Sequence, residues 1–288
     1  MTIYVQSRGK SQDHDYRWLE IGKESQSPSI PPLLKDLKVE ELIESQKPSL
    51  ILARSGKYLL LLVTAMDSRE ERTDFIGRRV RNSVAWVAIE TPEIEQLFRA
   101  IAVLALQGEL AAKIDQAINI GGNYGFEVDL KQLQTLVDRS AAGVKPASSL
   151  KYGKNDVHLR AQLASELSQY SLPSDLGTDQ ILVVVTTLKS QEALERLRVW
   201  RGLSSRIESE TWIEVVDSII SGAESGLQKK TLFLGILAAI AVIAMGWIVW
   251  SSALSPTPQN SQSDRKASSH PSSVTSTTLQ KSSTVSIK

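Results

Sequence analysis

Residues 232–250, LFLGILAAIAVIAMGWIVW, run for nineteen positions without a charge or a strongly polar side chain. At ~1.5 Å of rise per residue, a helix of this length matches the hydrocarbon thickness of a bilayer. Lys229 and Lys230 stand before it, and Trp247 and Trp250 lie at its far end, where indole rings favour the membrane interface. A buried core helix of that length would carry polar residues along one side, and this stretch carries none. The run predicts a transmembrane helix over 231–254. It divides the chain into a domain at 1–226 and a tail at 255–288.

The first twenty residues contain no apolar segment of the secretory kind. The expectation is therefore a single-pass protein of the cell membrane, with its N-terminal domain folding in the cytoplasm before the anchor is made. Gly235 and Ala239 form a small-xxx-small pair that would let two such helices approach closely, a route to a homodimer. The tail is mostly Ser, Thr, Pro, Gln and Lys, cannot bury enough apolar surface to offset chain entropy, and is expected to be disordered.

Charge narrows the partners of the domain. Residues 1–228 carry 27 basic and 31 acidic side chains, a net of −4. A mildly acidic domain does not suit nonspecific binding to nucleic acid. The absence of cysteine excludes disulfides, thiolate catalysis and cysteine metal sites.

Apolar patterning predicts an α/β or α+β domain with a mixed sheet. Strands are expected at 2–7, 16–21, 49–54, 57–66, 78–89 and 181–185. The near-continuous apolar run 57–66 is expected to be central and covered on both faces. Thr91-Pro92-Glu93 opens a helix with an N-cap, a proline at the first helical position and an acid near the positive end of the dipole. That helix is expected to continue through Gly108 to Ile118 with a bend at the glycine. Further helices are expected at 33–44, 130–137, 190–200 and 212–220, and Asn155 is expected to cap another that carries Leu159, Leu163, Leu167 and Tyr170 along one side. The small, flexible composition of 140–153 reads as a linker, a sub-boundary within the domain. Gly121 to Gly125 reads as a turn between helices.

No P-loop, dinucleotide fingerprint, nucleophile elbow or zinc-protease motif occurs, so no cofactor or metal is expected. Two polar clusters remain. Asp13, His14 and Asp15, between Arg8 and Arg17 in the first interstrand loop, have the residue types of an acid–base or cation site, and equally of a solvated hairpin tip. Arg78, Arg79, Arg81 and Asn82 follow Gly77. Guanidinium forks spaced in this way suit phosphate or carboxylate, and they also suit a sheet rim paired with Glu70, Glu71 and Asp74.

The run D-F-I-G-R-R-V-R-N at 74–82 resembles a motif in the N-terminal modules of GTPase-associated proteins from bacterial conflict systems. The resemblance covers about ten residues, and arginines stand here where a more glycine-rich run is typical. It implies a regulatory module that works beside an NTPase and is not itself the catalyst. The leading expectation is a membrane-tethered binding or adaptor module acting through a protein partner, with an anion site at the arginines. The competing one is a hydrolase or nucleotide-processing enzyme that brings Asp13, His14 and Asp15 together with Arg78, Arg79 and Arg81. Only the enzyme requires both clusters in one concave pocket.

Overall fold

The computed structural model describes residues 1–22, 29–137, 143–144, 149–174, 176–177 and 179–215. Its centre is a hairpin of two apolar strands, β3 (Ser49–Ser55) and β4 (Tyr58–Asp67). Gly56, at φ 54°, supplies the left-handed turn conformation that a two-residue hairpin loop requires. Residues Leu59 to Met66 of β4 are all buried, as the apolar run demands. Successive side chains alternate between faces: Leu59, Leu61 and Val63 enter one core, Leu60 and Leu62 the other.

Around this hairpin lie three groups of strands. β5 (Arg81–Ile89) pairs with β4, and the hairpin β1 (Thr2–Ser7) and β2 (Arg17–Ile21) adds outside β5. On the other side of β3 stands a parallel trio, β8 (Leu150–Lys154), β9 (Asp179–Thr186) and β10 (Arg201–Ser204), edged by the antiparallel β11 (Ile213–Val215). The nine strands run β11-β8-β10-β9-β3-β4-β5-β1-β2, one mixed sheet. A small separate hairpin joins β6 (Ile118–Ile120) to β7 (Phe126–Val128).

Helices cover both faces. α2 (Pro92–Gln107), α3 (Leu110–Ala117), α4 (Leu130–Gln134) and α5 (Val157–Gln169) place Phe98, Ile114, Leu133 and Leu163 in one core with Trp86 of β5. α1 (Pro32–Asp36), the 3-10 turn Val39–Leu42 and α6 (Gln191–Arg196) place Leu34, Leu42 and Leu194 in the other with Ile51 and Val184. The Thr91 hydroxyl accepts the Ile94 N–H at the start of α2, and Gly108 at φ 81° ends that helix.

The α/β domain with a mixed sheet stands, but the transmembrane helix expected over 231–254 is corrected. Among the described residues no helix is long and apolar enough to cross a membrane. The 16-residue α2 would span only ~24 Å, and its apolar side faces the sheet. Residues 232–250 and the tail 255–288 lie outside the described residues. The transmembrane and single-pass assignments therefore have no helix to rest on among the described residues, and the small-residue pair Gly235 and Ala239 lies outside them.

Other differences are local. Of the segment 140–153, residues 140–142 and 145–148 lie outside the described residues, and its end, from Leu150, belongs to β8. The helix expected over 33–44 breaks at Lys38, which is left-handed at φ 51°. That over 190–200 stops at Arg196 and turns through Arg198 into β10. Residues Ile213–Val215 pair with β8 as a strand, because the sheet edge offers hydrogen bonds that helical spacing cannot foresee.

Candidate functional site

β1 and β4 end, and β2 and β5 begin, at one end of the sheet, so the loops 8–16 and 68–80 meet there. Arg8 and Asp74 fix the meeting point. Both are nearly sealed from solvent, and Arg8 Nη1 lies 3.4 Å from Asp74 Oδ2 and 3.8 Å from Asp15 Oδ1. The Arg8 guanidinium also sits 5.5 Å from the ring centroids of Tyr16 and Phe75.

Asp74 organises its own loop. Its Oδ1 accepts the N–H groups of Ile76 (3.0 Å) and Arg78 (2.9 Å), and its Oδ2 accepts Arg78 Nε at 2.9 Å. Gly77, at φ 80°, makes the reversal that brings Arg78 back onto the carboxylate. Burial works against the charge on Asp74. The Arg78 N–H, its guanidinium and the Ile76 N–H outweigh that cost and hold the carboxyl below its ordinary pKa. A carboxyl lowered in the folded state stabilises the fold fully above its unfolded pKa, 3.8, and loses that contribution as pH falls through the folded value. Between pH 7 and 3 the melting temperature of Asp74→Asn should therefore fall less steeply than that of the wild type. Parallel acid limbs in thermal melts would refute this.

Beneath the rim lies a closed polar circuit. Asp115 of α3 receives Arg72 at 3.2 Å and Asn82 at 3.5 Å on Oδ1, and Arg69 Nε at 2.9 Å on Oδ2. Arg72 also donates to Ser7 Oγ (3.0 Å), and Ser7 Oγ donates to Asn82 Oδ1 (2.7 Å). Ser7, Arg72, Asn82 and Asp115 are all buried. Burial lowers the Arg72 pKa and the Asp115 carboxylate opposes this, leaving a cation at pH 7.

The structure brings part of the sequence-predicted residues together. Asp15 reaches the arginine side through Arg8, and the Tyr16 hydroxyl accepts the Arg81 N–H at 3.0 Å. Asp13 is exposed, and its backbone N–H bonds to Ser11 Oγ. His14 packs against Gly9 and Gly125: a Cβ added to Gly125 would lie 2.5 Å from His14 Nδ1 and 2.6 Å from Gly9 Cα. Arg78 pairs with Asp74, Arg79 with the exposed Glu70 at 3.0 Å, and Arg81 with Asp67 at 3.2 Å. Arg81 further donates to the carbonyl of Ala65, a non-glycine residue at φ 53° in the β4 bulge. Asn82 is thus buried and Arg81 part-buried, each held by hydrogen bonds or an ion pair, while Arg78 and Arg79 are exposed.

Gly121 to Gly125 is the loop of the β6–β7 hairpin and the seat of His14, not a turn between helices. Arg8 and Arg72 fall within the two polar clusters legible in the sequence, whereas sequence patterns do not single out Arg69 and Asp115 as site residues. Asp115 alone carries a signal, an acid next to Ile114 on a core-facing helix. Among the described residues no group of three or more His, Asp or Glu could hold a metal ion.

A groove of about 480 Å³ adjoins the circuit through Arg69 and is lined further by Lys113, Gln116, Asn119, Gln132 and Thr135. It includes none of Asp13, His14, Asp15, Arg78, Arg79 or Arg81. In comparisons with known proteins, no family model, no curated protein and no solved structure matches this chain.

Proposed function

We propose that this domain is a protein-interaction module and not a hydrolase, with its contact tip at Phe75, Ile76, Arg78 and Arg79. One observation carries the reading. Phe75 and Ile76, 48% and 58% exposed, stand beside two outward arginines on a loop pinned from below by the buried Arg8–Asp74 pair. An apolar-aromatic centre with arginine around it is the composition of interface hot spots, and a rigid loop lowers the ordering cost of binding. The partner it fits has an apolar pocket rimmed by carboxylates. The likeness of 74–82 to modules of GTPase-associated proteins makes an NTPase the first class of partner to seek.

The hydrolase reading lacks support at the same place. His14 is wedged between glycines, and Asp74 and Asp115 are engaged by guanidinium and backbone donors. The test is the pair Ile76→Ala and Arg79→Gln, measured for thermal stability and for co-purification of partner proteins. Both positions are exposed, so the melting temperature should stay within about 4 °C, since exposed pairs contribute only about 0–1 kcal/mol. Partner recovery should fall about tenfold or more, as expected for hot-spot truncation. Unchanged recovery would remove the tip from the interface.

A further inference from the structure

The groove beside Arg69 has a charge imbalance built into its wall. Asp115 is the single carboxylate between two guanidiniums, Arg72 sealed behind it and Arg69 in front, 52% exposed. One positive charge is left over, and it faces the groove. Lys113, two residues before Asp115 on α3, is exposed and makes no ion pair or hydrogen bond among the described residues. The side-chain amides of Gln116, Asn119 and Gln132 likewise have no hydrogen-bond partner among the described residues. The Thr135 hydroxyl donates to the Lys131 and Gln132 carbonyls, so its own lone pairs remain open.

We propose that this groove binds a small phosphate-bearing molecule, a function beyond the contact tip and using none of its residues. Lys113 and Arg69 would meet the phosphate oxygens, Lys as a point charge and Arg through the donors that Asp115 leaves over. The Arg69 Nη2 contacts to the Asp115 and Ile118 carbonyls are long, 3.4 and 3.5 Å, and an anion would displace them readily. Gln116, Asn119, Gln132 and Thr135 would take the hydroxyl or ring polar groups of the rest of the molecule. A volume of about 480 Å³ lies within the roughly 300–1,000 Å³ of small-ligand sites. The lining departs from the usual apolar one, with Leu136 its only large apolar residue among the described residues, and that selects a hydrophilic, charged ligand.

Inorganic pyrophosphate titrated into the full-length chain by calorimetry, at two salt concentrations, tests this directly. Wild type should bind saturably. Lys113→Gln, an exposed change that leaves the Asp115 circuit intact, should bind about tenfold more weakly or worse, as loss of a charge-assisted contact predicts. Arg79→Gln, on the rim and outside the groove, should bind as wild type. The proposal is overturned by the absence of saturable binding, or by equal losses in the two variants, which would mean diffuse attraction to surface charge. A polyglutamate peptide that binds while pyrophosphate does not would overturn it too, in favour of an acidic protein segment. None of these outcomes bears on partner capture by Ile76 and Arg79.

Discussion

Asp115→Ala should lower the melting temperature by roughly 6–20 °C, the largest change expected from a single substitution near the rim. The carboxylate is the only acid among the buried groups Arg72, Ser7 and Asn82, and it touches two guanidiniums at once. Removing it leaves Arg72, 4% exposed, as a buried charge without a counter-ion. Breaking a buried pair from one side costs about 3–5 kcal/mol, and each kcal/mol moves the midpoint of a domain this size by about 2–4 °C. Thermal unfolding by circular dichroism measures it. A shift below about 2 °C would mean that water already compensates Arg72 and that the circuit is not the support of the groove. Asp115→Asn separates charge from shape, since the amide oxygen can still accept one guanidinium N–H.

Gly125→Ala should destabilise the domain by about 2–5 kcal/mol. Part of the cost is the left-handed backbone at φ 78°, about 1–2 kcal/mol for any residue with a Cβ. The rest is overpacking, about 1–3 kcal/mol. The new methyl would meet His14 Nδ1 at 2.5 Å and the backbone Cα of Gly9 at 2.6 Å, and a backbone atom cannot swing aside as a side-chain end can. Gly9→Ala, pressing on the same contact without a positive φ, should cost less. If chemical denaturation ranks the two the other way, the left-handed backbone at Gly125 is not what makes that position the more sensitive. Both variants should also push the loop 8–16 away from Asp74, weakening the base on which Phe75 and Ile76 stand.

Local chemistry makes much of the sheet legible in advance. YLLLLVTAM can be satisfied only between two layers, and Thr91-Pro92-Glu93 carries its own start signal, so β4 and α2 lie where the pattern puts them. β8 is illegible for the opposite reason. LKYGK has two lysines and a glycine, and becomes a strand because β10 and β11 supply partners on both sides. A salt-bridged rim is legible in Arg78 with Asp74 and Arg79 with Glu70, both separated by few residues. The circuit below it is not, since Asp115 meets Arg72 from 43 positions away and Ser7 meets Asn82 from 75. No periodicity or propensity records a pairing of that span.

The pairing of β3 with β9 has a consequence for how the chain emerges from the ribosome. β1 to β5 can close on one another as soon as they are made, yet β3 then presents one bare edge of nearly all-apolar residues, Leu50 to Ala53, until β9 arrives. β9 begins only at Asp179, so at about 5–20 residues per second that edge stays open on the order of ten seconds. A half-built sheet with an open apolar edge is a template for other nascent copies. Holdase chaperones that engage the chain between synthesis of β5 and β9 would shield it, and slowing translation across that interval should raise the aggregated fraction without altering the stability of the finished fold.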